Sequence, residues 1–385
     1  MAVKEIVMAT VVTEGLLREL AGFRAANGCA ISIYIDFDPS ETPTVPAEKT
    51  RFHARVDGAK KTADARARER GRDCKLALEA DFERITAWGE DEFDRDGARS
   101  LAVFASSADG LFRIVPLTEP VVDGWEVGPE LWIAPLAGQV GRGEGALVAV
   151  VSRERGVLYR LHDGRLEEIA DESEEVPGQH DQGGWSQARY QRHIENIVLR
   201  HLKTVGEEID KTVHNRRPPL VVVAPEELRG ELESKLSQEA REAIVGWATA
   251  DAHANEVELL EHVRPLLDEA RAREDETTLE RWQSERGRRG KVAGGWKKTL
   301  DAANDARVEV LLVDEGARHQ AWSCPECGRA YADGGKCPLD GTKLEARDDA
   351  VDLAIHHTVL HGGTFVRFGA GALADADGIG AILRF

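Results

Sequence analysis

Residues 182–193 read Gln-Gly-Gly-Trp-Ser-Gln-Ala-Arg-Tyr-Gln-Arg-His. The adjacent Gly183 and Gly184 carry no Cβ, so this backbone can be pushed into a crowded site that any other residue pair would obstruct. Arg189, Arg192 and His193 follow on what reads as the start of a long helix, and such side chains suit a phosphate backbone. The combination describes a probe held out from a nucleic-acid-binding helix. An acidic loop punctuated by Pro177 and Gly178 leads into it.

A second group lies near the C-terminus. Cys324-Pro-Glu-Cys327-Gly and Cys337-Pro-Leu-Asp340-Gly are two turns of the kind that zinc ribbons wrap around a tetrahedral ion. Asp340 takes the place of a fourth cysteine, and a carboxylate oxygen is an accepted zinc ligand. Four protein ligands leave no open position, so a zinc held by Cys324, Cys327, Cys337 and Asp340 is structural and not catalytic. The other two of the five cysteines, Cys29 and Cys74, stand apart in the sequence. That usage reads as a metal site in a reducing cytoplasm and not as a disulfide framework.

Other chemistry-bearing patterns are weaker. Gly184-Trp185-Ser186-Gln187-Ala188 superficially matches a nucleophile elbow, but a hydrophilic loop precedes it where an elbow requires a buried strand. His357 and His361 have metal-binding spacing, without the glutamate of a zinc protease helix. Ordinary helix-end histidines fit better. Gly141, Gly143 and Gly145 precede a strand instead of following one, which fits a linker and not a dinucleotide loop.

The elements that must position these groups follow from length and periodicity. A chain of 385 residues exceeds one ordinary core, and its 31% charged content fits a globular fold. The predicted class is α/β with three domains, each a mixed sheet covered by helices, and a small zinc-ribbon insertion in the last. Residues 1–138 form the first, with a strand over 29–37, a long charged helical region over 50–88, and strands over 100–106, 111–117 and 131–136. Residues 139–274 form the second. It has strands over 146–152, 156–161 and 166–169, a helix over 186–213, a strand over 220–224, a helix over 226–243, a strand over 244–248 and a helix over 255–273. Within the helix over 186–213, Ile194, Val198, Leu202, Val205 and Ile209 mark a buried stripe at three- and four-residue steps. Residues 275–385 form the third, with the ribbon over about 322–345. Helices over 295–305 and 348–360 and strands over 308–313, 364–368 and 381–385 complete it.

The formal net charge of -19 argues against sequence-blind nucleic-acid binding over the whole surface. Any such role needs local basic patches, and residues 281–298 supply one, with Arg288, Arg289 and Lys291 at its glycine-rich turn. The N-terminus has no sustained apolar core and no run approaches a membrane span, so the sequence predicts a cytoplasmic protein without a membrane partner.

From about residue 140 onward the chain resembles the archaeal and eukaryotic class-1 peptide chain release factors. It is most similar to their bacterial branch, with relatives among the Vms/ANKZF-type peptidyl-tRNA hydrolases and the Balon hibernation factor. In that family a Gly-Gly-Gln-Ser loop precedes a helix bearing Arg-Phe-x-Arg. Gly183 and Gly184 fall on the glycines, Ser186 on the serine, and Arg189-Tyr190-Gln191-Arg192 on the arginine pattern. Residues 290–303 and the strand over 308–313 resemble the family's C-terminal domain, whose cysteine mini-domain follows such a strand. Trp185 stands where the family has its catalytic glutamine, with Gln187 and then Gln182 as the displaced candidates. The first domain has no Asn-Ile-Lys-Ser stop-codon motif.

The resemblance implies a ribosome-associated factor that promotes hydrolysis of the peptidyl-tRNA ester in release or rescue. Gly183, Gly184, Gln187 and Gln182 would be catalytic. Trp185, Ser186, Arg189, Arg192, His193, Arg288, Arg289 and Lys291 would contact RNA. Its partners would be the ribosome and peptidyl-tRNA, and it admits a translational GTPase. The alternative is a hibernation factor that occupies the tRNA site without chemistry.

Overall fold

The computed structural model describes residues 12–27, 29–38, 40–70, 72–94, 98–117, 119–139, 145–162, 164–174, 185–214, 217–251, 254–347 and 349–385, with backbone alone at 65–70, 73 and 185–191. Contacts divide the chain into two compact units, Met1–Gly141 with Asp275–Phe385, and Arg142–Glu274.

The first unit begins with α1 (Glu14–Ala21), capped by the Thr13 hydroxyl, which accepts the Leu16 N–H at 3.1 Å. Strand β1 (Ala30–Asp36) leads into the helical hairpin α2 (Val45–Arg70) and α3 (Arg72–Asp91). Then come β2 (Ser100–Ser106), β3 (Leu111–Leu117), β4 (Gly124–Gly128) and the short α4 (Ala134–Ala137). The four strands form a wholly antiparallel sheet in the order β3-β2-β1-β4. Alternation along the strands buries both faces. Ile31, Ile33, Ile35, Leu101 and Val103 meet Phe52, Val56, Leu78, Phe82 and Ile85 of the helical hairpin. On the opposite face Ala30, Tyr34, Ala102 and Phe104 enter a core shared with residues from the end of the chain.

The helical region predicted over 50–88 is helical and extends further at both ends, as the hairpin of α2 and α3. One local expectation gives way here. Where the sequence predicts a strand over 131–136, the structure has coil and α4. Pro135 sits in the first turn of α4, and the Ile133 and Ala134 N–H groups donate to the Asp352 carboxylate instead of to a neighbouring strand. The place beside β1 is taken by β4, whose short, glycine-bounded sequence carries little strand signal.

The second unit holds β5 (Leu147–Val151), β6 (Gly156–His162), β7 (Arg165–Asp171), α5 (Trp185–Val213), β8 (Leu220–Val223), α6 (Glu226–Lys235), α7 (Gln238–Ala243) and β9 (Ile244–Ala248). The sheet runs β7-β6-β5-β8-β9, antiparallel through the meander and parallel across β5, β8 and β9. Leu147, Ala149 and Val151 pack under α5, α6 and α7, while Val148 and Val150 meet α8 (Glu256–Gly287). The predicted helix over 226–243 is interrupted at Ser237, whose hydroxyl accepts the Ala240 N–H and restarts the chain as α7. Helix α8 continues unbroken past residue 273, because the intervening Arg271-Ala-Arg-Glu-Asp-Glu has no breaker.

The remainder of the first unit comprises β10 (Val292–Gly294), α9 (Trp296–Asn304), β11 (Val308–Asp314), β12 (Ala321–Ser323), β13 (Ala330–Tyr331), β14 (Glu345–Arg347), α10 (Ala350–Leu360), β15 (Thr364–Phe368) and β16 (Ile379–Leu383). A mixed sheet runs β10-β16-β11-β15, with β11 and β15 parallel. A three-stranded ribbon, β13-β12-β14, is inserted between β11 and α10.

Candidate nucleic-acid interface and metal site

Helix α5 is held by its apolar stripe. Ile194, Leu202, Val205 and Ile209 are buried as the spacing predicts, joined by Ile197 and Val213, with Val198 partly covered. The helix lies so close to β6 that a Cβ on Gly156 would sit 2.3 Å from Val205 Cγ2. His201 is buried on the same side, its Nε2 3.3 Å from the Arg155 carbonyl oxygen. The opposite side is solvated, and Arg192, His193, Arg200 and Lys203 are exposed there. Trp185, Ser186, Gln187 and Arg189 occupy the first two turns of α5, but their side chains lie outside the described residues. Gln182, Gly183 and Gly184 also lie outside them.

The basic stretch after α8 divides on inspection. Arg281 is committed to Glu309 through two hydrogen bonds at 2.9 and 3.2 Å. Arg286 stacks over Trp282 at 5.0 Å and pairs with Asp375 at 2.7 Å. Lys297 reaches Asp301 at 3.3 Å. These cations brace the fold. Arg288 and Arg289 are exposed at the helix end and have no carboxylate partner among the described residues, while exposed Lys291 donates to the Arg384 carbonyl at 3.3 Å. Arg289 takes φ +57° in the turn, which carries the chain from α8 back into β10.

The cysteine cluster is assembled by two equivalent turns. Gly328 N–H donates to Cys324 O and Gly341 N–H to Cys337 O, each at 2.9 Å. Both glycines are left-handed, at φ +75° and +77°, a conformation that strains other residues. The turns bring one ligand atom each from Cys324, Cys327, Cys337 and Asp340 within 4.8 Å of one another. Cys327 Sγ lies 3.6 Å from Cys337 Sγ, and Cys324 Sγ 3.4 Å from Asp340 Oδ2. A tetrahedral zinc with bonds of about 2.3 Å needs donor separations of roughly 3.8 Å, so the set fits. The Thr342 backbone N–H, donating to the Asp340 carboxylate at 2.8 Å, helps hold that carboxyl down to about 2. Asp340 is therefore an anion at neutral pH. This group could hold a metal ion.

The ribbon is fastened to the body of the first unit by polar contacts. The Asn304 amide exchanges two hydrogen bonds with the Ala330 backbone, at 2.6 and 2.9 Å. His357 Nε2 lies 3.1 Å from the Gly328 carbonyl oxygen, so this histidine supports the turn and does not join His361 in a metal site. Arg24 donates to Pro325 O at 2.8 Å. Arg24 and Arg347 both grip buried Glu130 at 2.9 Å. Burial pushes the Glu130 carboxyl up, but the two guanidinium groups outweigh it and hold the group below its ordinary range. No sequence motif announces this network. A lone Asp352 in the otherwise apolar run 350–355 was the nearest available signal.

The described residues form a mixed α/β protein of helix-covered sheets with a cysteine ribbon inserted in the last. Comparisons with known proteins give the following similarities. Residues 132–268 match the family model of bacterial archaeo-eukaryotic release factor family 10. Peptide chain release factor subunit 1 of Archaeoglobus fulgidus is 25% identical over 190 residues, covering 47% of this chain and 46% of that protein. The protein of the same name from Aeropyrum pernix is 41% identical over 61 residues, or 16% of each chain. The solved structure of Archaeoglobus fulgidus Pelota is 15% identical, covers 76% of this chain and 81% of that one, and has a TM-score of 0.35. The chain spans about half the length or less of the first of these curated relatives. Over residues 132–268 the chain is thus similar to the bacterial archaeo-eukaryotic release factors, the branch that its sequence resembles. No described helix is long and apolar enough to cross a membrane.

Proposed function

We propose that this protein is a ribosome-associated translation factor that promotes hydrolysis of the ester joining a nascent peptide to tRNA, in release or rescue. One observation carries the reading. The pair Gly183-Gly184 immediately precedes a 29-residue helix with Arg192 and His193 on its exposed side, inside the segment that matches the family. The positive end of the helix macrodipole faces the same juncture.

The reaction is attack of water on an ester carbonyl, and it needs no strong side-chain base. A held water supplies proximity, and a donor aimed at the developing oxyanion supplies charge stabilisation. Backbone N–H groups at Gly183 and Gly184, or the amides of Gln187 and Gln182, are the donors in this scheme. Arg189, Arg192, Arg288, Arg289 and Lys291 would contact RNA phosphate, with Trp185 and Ser186 against the tRNA end. The partners are the ribosome and peptidyl-tRNA, with a translational GTPase as a delivery candidate, and the work is cytoplasmic. Zinc held by Cys324, Cys327, Cys337 and Asp340 would cross-link the two turns of the ribbon and stay out of the chemistry.

Trp185 favours a second reading. An aromatic ring where the family has glutamine suits occupation of the tRNA site by a hibernation factor that performs no hydrolysis. A single-turnover assay with ribosomes carrying peptidyl-tRNA separates the two. Release that is lost in the Gln182→Ala, Gln187→Ala double variant supports hydrolysis. Ribosome binding without release by the unaltered protein eliminates it.

A further inference from the structure

We propose that Cys29 and Cys74 form a reversible disulfide, a redox-modification site separate from the ribbon cysteines. Nothing in their sequence spacing pairs them. The fold brings Cys29, directly before β1, against Cys74 in the first turn of α3, with the two Sγ atoms 3.0 Å apart. Both residues are buried, at 1% and 7% exposure, in the core between the sheet and the α2–α3 hairpin. A disulfide bond is about 2.05 Å long, so the sulfurs need to close by only about 1 Å.

Space for a small oxidant lies next to Cys29. A cavity of about 30 Å³ is lined by Cys29, Gly128, Pro129, Glu345 and Arg347. Roughly 10–15 Å³ accommodates a water molecule, so the space beside Cys29 has room for a small peroxide. The Cys29 thiolate attacks one oxygen of hydrogen peroxide. The O–O bond breaks, the departing hydroxide takes up a proton to become water, and Cys29 becomes a sulfenic acid. The Cys74 sulfur then attacks the Cys29 sulfur, the S–O bond breaks and a second water leaves. Two thiols are oxidised and one peroxide is reduced to two waters. A dithiol reductant reverses the bond. The link spans 45 residues and ties the start of α3 to the start of β1, constraining the unfolded chain.

The test uses the whole 385-residue chain, with any metal it carries retained. It is exposed to dilute hydrogen peroxide, alkylated under denaturing conditions and mapped by peptide mass spectrometry. The expected result is loss of both alkylatable thiols, with a Cys29–Cys74 linked peptide two hydrogens lighter than its parts. Dithiothreitol abolishes that peptide, and the oxidised protein unfolds several degrees higher than the reduced one. In the Cys74→Ser variant, Cys29 stops at a dimedone-reactive sulfenic acid. Should this variant fail to fold, mapping of the unaltered protein decides alone. Recovery of Cys29 and Cys74 as thiols while the ribbon cysteines are oxidised overturns the proposal. So does overoxidation of Cys29 without a link, or pairing of either residue with a ribbon cysteine.

Discussion

Asp352 offers the sharpest test of the physical account of the first unit. Its carboxylate is 6% exposed and its Oδ1 accepts the Ile133 and Ala134 N–H groups at 3.1 Å each. Burial first, and then the charge of Asp349, raise its pKa from 3.8 to about 8, more than the two N–H groups lower it. A carboxyl group raised in this way leaves stability intact below the unfolded value. Stability is then lost as pH climbs from about 4 through about 8, because the unfolded chain ionises while the folded one retains the proton. Four pKa units correspond to a ceiling of about 5–6 kcal/mol. Relaxation and water entry around an ionised group bring the real loss below that ceiling. Asp352→Asn keeps an acceptor oxygen for both N–H groups and never ionises. Urea unfolding followed by tryptophan fluorescence should therefore show variant and parent nearly equal at pH 4. The variant should pull ahead at up to about 1.4 kcal/mol per pH unit toward pH 8. A gap that does not change with pH, or a variant weaker at pH 8 than at pH 4, would refute the reasoning.

Gly156→Ala should destabilise the second unit by about 1–3 kcal/mol, because its Cβ would strike Val205 Cγ2 and push α5 off the sheet. Equilibrium unfolding monitored by circular dichroism measures that cost. The purified protein should retain one zinc per chain by elemental analysis. Asp340→Ala should weaken zinc by more than the roughly 10–100-fold that outer-sphere partners cost, and chelation should lower the unfolding midpoint of the first unit. The Arg288→Ala, Arg289→Ala double variant should weaken ribosome co-sedimentation and flatten its salt dependence by roughly one logarithmic unit of slope for each phosphate no longer neutralised. His356 is buried, its Nε2 has no hydrogen-bond partner among the described residues, and burial lowers its pKa to about 4. Stability should consequently fall as pH drops from about 6.5 toward 4, where the unfolded imidazole takes a proton that the folded one refuses. Unfolding of His356→Gln over that range should show a shallower loss.

Much of the central segment was legible because its signals are local. The 3.6-residue stripe of α5 and the short apolar strands of the meander are written in consecutive residues. The Cys-Pro-x-Cys-Gly turn specifies its own geometry, with glycine required at the left-handed position. The bounds of β15 coincide with the predicted 364–368, and α10 begins two residues into its predicted range. Local signals misled where nonlocal partners decided. Residues 131–136 have the composition of a strand, yet a carboxylate more than two hundred positions away claims their N–H groups. The seven cations of residues 281–298 narrow to four once Glu309, Asp375 and Asp301 are found opposite three of them.

By itself the sequence determined which helix carries the glycine pair, which four residues could surround a metal, and which kind of protein the chain resembles. Those are matters of residue type at fixed short spacing. Only the tertiary structure decided which arginines are spent on ion pairs, why Asp352 retains a proton near neutrality, and that Cys29 meets Cys74. Each of those depends on groups distant in the chain being brought within a few ångströms in a medium that excludes water, where desolvation and pairing outweigh intrinsic preference.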